Sequence, residues 1–130
     1  MKSVKIISGD PWLFKKIPNK EMWRLYNDVM YEIDYGTHKL FIKVPFGFEY
    51  DLASVPPMFQ WMFGKKEEVG IHAALLHDYA YKTHCLTRKE ADKAFLKLME
   101  YYQNPKSGWK RFLMYQAVNL FGGNPYKHKK

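Results

Sequence analysis

The segment Ile71-His72-Ala73-Ala74-Leu75-Leu76-His77-Asp78-Tyr79-Ala80-Tyr81 places the hardest constraint on the fold, because its eleven residues include no Lys, Arg or Glu. At about 100° per residue its apolar side chains cover almost the whole circumference, so the spacing predicts a helix buried on most sides, from about Glu68 to Lys82. A helix of that kind needs covering layers. The rest of the chain must supply them.

The upstream half supplies sheet. Val29, Tyr31, Ile33 and Tyr35 alternate with Met30, Glu32 and Asp34, and Leu40, Ile42 and Val44 resume the pattern after Gly36-Thr37-His38. This is the period of a hairpin with one apolar face. Ser3 to Ser8, a stretch from Trp12 to Pro18, and Phe46 to Tyr50 read as further extended segments, and Pro56-Pro57 ends sheet pairing ahead of a short helix from Pro57 to Phe63. Downstream, Thr87-Arg88-Lys89-Glu90 is a capping box opening a second long helix, whose stripe is Ala91, Phe95, Leu98 and Tyr102. A third begins after Ser107 and runs through Trp109, Phe112, Leu113, Gln116 and Leu120 to the stop at Gly122-Gly123. The predicted fold is α+β: an N-terminal antiparallel β-sheet of three to five strands, followed by three main helices packed on it. With 130 residues, 47% hydrophobic and 18% aromatic, the chain has material for one core, expected over residues 1–124, with a basic C-terminal tail at 125–130.

Composition removes several classes of function. The single cysteine, Cys85, forms no intrachain disulfide, and no Cys-x-x-Cys pair exists to build a zinc ribbon. The N-terminus is too polar for a signal peptide, and no apolar run approaches the roughly 18 to 20 residues of a membrane span, so a cytoplasmic protein is expected. The net charge of +8 would suit a nucleic-acid partner, but Lys15-Lys16, Lys65-Lys66, Arg88-Lys89 and Lys110-Arg111 are spread over every segment. Nucleic acid is therefore not the expected partner.

The polar residues of the apolar helix carry the chemistry. A buried polar group without a partner costs about 1–3 kcal/mol and an unpaired charge more, so His77 and Asp78 need partners. They diverge by about 100°, and each must meet another element. His77 and Tyr81, four apart, share a face. His72 lies about 140° from His77, which disfavours a two-histidine metal grip. Asp51 stands where a strand becomes a loop, and Asp92 borders the apolar stripe of the second helix. Convergence of Asp51, His77, Asp78 and Asp92 would give a general acid/base site. A divalent metal ion held by His77, Asp51 and Asp92 is the cofactor such a set would take, with Asp78 as orienting carboxylate and Ser54 and Tyr81 donating hydrogen bonds to substrate. Each residue also has a structural role open to it. Asp51 can close an Asx turn, Ser54 can cap a helix, Asp92 can face a helix dipole, and His77 with Asp78 can pin helices together.

The blocks Gly47-Phe48-Glu49-Tyr50-Asp51-Leu52-Ala53-Ser54-Val55-Pro56, Ala73-Ala74-Leu75-Leu76-His77-Asp78-Tyr79-Ala80-Tyr81, Arg88-Lys89-Glu90-Ala91-Asp92 and Leu113-Met114-Tyr115-Gln116-Ala117-Val118 resemble, in order, the signatures of domain-of-unknown-function family 1353. The resemblance implies a bacteriophage or prophage origin, a place in the host bacterial cytoplasm or on the virion, and shared polar positions at Asp51, Ser54, His77, Asp78, Tyr81 and Asp92. Two functions are carried forward. One is a phage-encoded accessory protein that is a small metal-assisted hydrolase acting on a small substrate. The other is a non-catalytic phage assembly protein, or one that binds a host component, in which the His/Asp residues form a structural hydrogen-bond network.

Overall fold

The computed structural model describes residues 1–11, 14–19, 23–50, 68–102 and Tyr115. Six strands precede two helices among them: β1 Ser3–Ser8, β2 Phe14–Lys16, β3 Trp23–Leu25, β4 Val29–Asp34, β5 Lys39–Val44, β6 Glu49–Tyr50, α1 Glu68–Thr83 and α2 Arg88–Tyr101. The protein is α+β with antiparallel pairing throughout the described strands. The expected short helix from Pro57 to Phe63 and the third main helix lie outside the described residues, Tyr115 apart, as does the tail 125–130.

The strands form two three-stranded sheets, ordered β1-β4-β5 and β2-β3-β6, where one sheet of three to five strands was expected. The reason lies after β5. Pro45 has no N–H to extend the ladder, its carbonyl accepts from Phe48 N–H in a turn, and Gly47 takes φ +90°. The chain leaves the first sheet there. Gly47 N–H already donates to Leu25 O, and Leu25 N–H to Phe48 O, so the segment expected as a strand from Phe46 pairs with β3 and is regular only at Glu49–Tyr50.

The β4–β5 hairpin follows the alternation, with Val29 opposite Val44, Tyr31 opposite Ile42 and Ile33 opposite Leu40. Val29, Tyr31 and Ile33 are fully buried, while Leu40, close to the hairpin turn, is 37% exposed despite its inward parity. The β1–β4 register shifts between Ile6 and Ser8, and the chain turns at Gly9 with φ +104°. A Cβ there would stand 2.6 Å from Asp28 O and Val29 Cα, so only glycine fits.

Val4, Tyr31, Ile33 and Val44 from the first sheet, Leu25 and Tyr50 from the second, Leu75, Leu76 and Ala80 of α1, and Ala91, Ala94 and Leu98 of α2 form one core. Polar ties fix the helices to the strands. The Tyr31 hydroxyl lies 2.8 Å from His72 Nδ1, the Tyr35 hydroxyl donates to Glu90 Oε2, and Ile6 N–H donates to the Tyr102 hydroxyl. Tyr102 thereby occupies part of the edge that β1 turns away from β4. No helix among the described residues is long and apolar enough to cross a membrane.

Candidate functional site

The site begins with the start of α2. Thr87 Oγ1 accepts from Glu90 N–H at 3.1 Å and Glu90 Oε1 accepts from Thr87 N–H at 3.3 Å, which closes the capping box. Burial works against the Glu90 charge, but the bonds from Thr87 and Tyr35 outweigh it and hold the carboxyl below its ordinary range. Burial and then Glu90 push the Tyr35 hydroxyl up to about 12. With its first turn held by cap and sheet, α2 presents Asp92 to α1.

Asp92 Oδ1 lies 2.8 Å from His77 Nε2 and accepts from the Tyr81 hydroxyl at 2.6 Å. Two donors from α1, one turn apart, meet one oxygen from α2. An ionised carboxylate only accepts, so Nε2 carries the hydrogen and Nδ1 carries the lone pair of the neutral ring. The rings of His77 and Tyr81 are 4.1 Å apart, and the Phe95 ring meets His77 edge-on at 5.9 Å between centroids. Side-chain exposure divides the pair: 14% for His77 and 1% for Asp92. Burial first, and the Asp92 hydrogen bond second, raise the Tyr81 pKa well above its ordinary value, while Arg88 beside the hydroxyl works in the other direction. Tyr81, expected to donate to substrate, spends its proton on Asp92.

Asp78 turns the other way, as the 100° divergence requires. Its Oδ2 lies 3.0 Å from Lys82 Nζ, one turn on, and Lys82 also donates to Glu49 O at 3.0 Å and sits over the Phe48 ring. Burial, then the Asp78 charge, raise the Tyr50 pKa. The carboxylate bonded to His77 is thus Asp92, while Asp78, expected as the orienting carboxylate, leaves α1 toward β6. Asp51, the residue after Tyr50, and Ser54 lie outside the described residues.

Among the described residues no group of three His, Cys, Asp or Glu side chains is gathered as a metal would need. His77 and Asp92, two of the three proposed ligands, are hydrogen-bonded to each other, so a cation would have to replace that hydrogen and recruit Asp51 as well. His72 takes no part. It is 1% exposed, and burial lowers its pKa to about 4, with the Asp10 charge opposing. Arg88, which the sequence places in the capping-box run, in a scattered basic pair and in a family block but not among the site residues, lies beside the Tyr81 hydroxyl. Its spacing of four from Asp92 is the signal that would have placed it there.

Comparison with curated proteins and with solved structures gives no match. A family model does match, over residues 23–118, a span that holds β3 to β6, both helices and every candidate site residue. That model is described as Protein of unknown function (DUF1353), and the chain belongs to this family.

Proposed function

We propose that the chain is a small phage-encoded hydrolase in which His77 is the general base, Asp92 its orienting carboxylate and Tyr81 the donor that holds Asp92 in place. One observation carries the reading: within a single hydrogen-bonded unit the imidazole reaches solvent while the carboxylate behind it is sealed. Such an arrangement fixes ring orientation and tautomer and leaves the basic nitrogen for a water molecule. Nδ1 takes a proton from that water, the oxygen bonds to the electrophilic centre of the substrate, the bond from that centre to the leaving group breaks with its electron pair going to the leaving group, and the imidazolium gives its proton to that group. In this reading Asp51, the residue after β6, joins His77 and Asp92. A divalent cation on Asp51, His77 and Asp92 would take the place of the Nε2 hydrogen, and it would then be the cation that acidifies the attacking water. The phage assignment is supported by the resemblance of the four sequence blocks to bacteriophage and prophage proteins.

The full burial of Asp92 with two donors favours a second reading, a structural lock in a non-catalytic assembly or host-binding protein. Turnover of p-nitrophenyl acetate, phosphate and bis-phosphate separates the two. His77→Ala is expected to lower hydrolysis about 10²- to 10⁴-fold. Hydrolysis that survives the substitution ends the role of His77. Calorimetric titration with Mg²⁺, Mn²⁺ and Zn²⁺ tests the cation: heat that Asp51→Asn and His77→Ala both remove supports it, and no heat from the wild type discards it.

A further inference from the structure

The sequence spreads its lysines over every segment, but the register of the first sheet gathers three of them around one aromatic ring. Val4, Tyr31, Ile33, Ile42 and Val44 point into the core, so the alternate residues of the same strands form the opposite face. On β5 that face reads Lys39, Phe41 and Lys43, all exposed, with Phe41 at 55%. Lys5 of β1 and Phe41 flank Glu32 of β4 in one row, so the backbone of Lys5 lies two strand spacings, about 10 Å, from that of Phe41. The Lys5 ammonium sits 5.3 Å from the centre of the Tyr101 ring, which is 49% exposed and carries the face past the edge of β1.

The acids of this face lie below its cations. Glu32 is 8% exposed and 3.6 Å from Lys39 Nζ, and Asp34 Oδ1 accepts from Gly36 N–H in the hairpin turn. Lys43 has no ion pair among the described residues. The charge that reaches furthest into solvent is therefore positive, and it alternates with two open rings. A lipid surface would need a wider apolar patch, and the outward neighbours of Phe41 on its own strand are both lysines. A duplex would need an element slim enough to enter a groove, and this face is three strands wide. Unstacked bases need ring faces to lie on and positive charge beside them for the phosphates, and both are here.

We propose that the outer face of the β1-β4-β5 sheet binds single-stranded nucleic acid, with bases stacked on Phe41 and Tyr101 and phosphates held at Lys5, Lys39 and Lys43. Fluorescence anisotropy with a labelled oligothymidylate of about ten nucleotides tests this, against a duplex of the same length, inorganic polyphosphate and phosphatidylserine vesicles. The wild type is expected to bind the single strand saturably and more tightly than the duplex or polyphosphate. Its affinity should fall roughly fivefold to tenfold when salt rises about fourfold. Phe41→Leu keeps an apolar side chain and removes the ring, so it should weaken binding about tenfold. Lys43→Gln should weaken binding about threefold and flatten the salt dependence. Both side chains are exposed, so the folded state should persist, and far-ultraviolet circular dichroism checks it. Failure to bind the single strand overturns the proposal, as does equal binding by wild type and Phe41→Leu. Polyphosphate bound as tightly as the oligonucleotide means charge alone and overturns it too, and binding to vesicles without binding to the oligonucleotide makes the face a membrane surface instead. The hydrolase reading does not enter this test, because neither Phe41 nor Lys43 belongs to the His77 unit.

Discussion

His72 and His77 stand five residues apart on one helix and live in opposite environments. His72 is 1% exposed and faces the Tyr31 hydroxyl at 2.8 Å, a contact between helix and sheet that excludes water. His77 faces a carboxylate from the neighbouring helix, with 14% of its side chain open. The partner explains the difference. A phenol satisfies an imidazole without introducing charge, so that contact can be sealed, whereas a carboxylate brings a charge to the contact and is itself buried behind the partly open ring. One helix thus holds a sealed histidine that joins layers and a partly open histidine that the proposed function takes as its base.

The sharpest way to break this comparison is to remove the carboxylate. Asp92→Ala strips the acceptor from Tyr81, which is buried, and from His77 Nε2, and should cost about 4 kcal/mol in denaturant unfolding. Asp92→Asn keeps the shape and should recover part of that loss. A cost under about 1 kcal/mol for the alanine variant would mean that the two donors do not converge on Asp92 in solution.

Acid should act next most strongly, and through His72. Its pKa falls from an ordinary 6.5 to about 4 on folding, so between those values the unfolded chain binds a proton that the folded chain refuses. Stability from this group is complete above pH 6.5, declines as pH falls, and is lost below about 4, a total of about 3 kcal/mol. Unfolding followed at several pH values should show His72→Gln losing that part of the slope relative to the wild type. Equal slopes would place His72 in contact with water.

Much of this was legible from residue order alone. Val29 to Val44 showed its hairpin because burial of one face imposes a period of two, and Thr87 with Glu90 announced a helix start that forms as expected. The second sheet was not legible. β3 has three residues, too few for a periodic signal, and the turn at Pro45 redirects the chain by backbone pairing with Leu25, a long-range event. At the site, helix angles gave the divergence of His77 from Asp78 and put Asp92 at the border of its stripe. They did not give which carboxylate His77 meets, because that depends on how α1 and α2 slide against each other. Leu40 shows the same limit, with inward parity and an exposed position at the hairpin end. Asp51, Ser54 and, Tyr115 apart, the segment expected as a third helix fall outside the described residues.

The smallest expected effect on stability is the most informative. His77→Gln removes a ring that packs on Tyr81 and Phe95 and is already partly open, but it leaves Tyr81 donating to Asp92, so no buried charge is stranded. The cost should be no more than about 1 kcal/mol, roughly 3 °C in the melting temperature of a chain of this length. His72→Gln at the same pH should cost more, since the glutamine must satisfy a sealed position facing Tyr31. A functional histidine shows a small stability loss beside a large loss of turnover. If His77→Gln instead melts the protein as severely as Asp92→Ala, the imidazole is holding α1 to α2, and the two histidines of this helix have the same task.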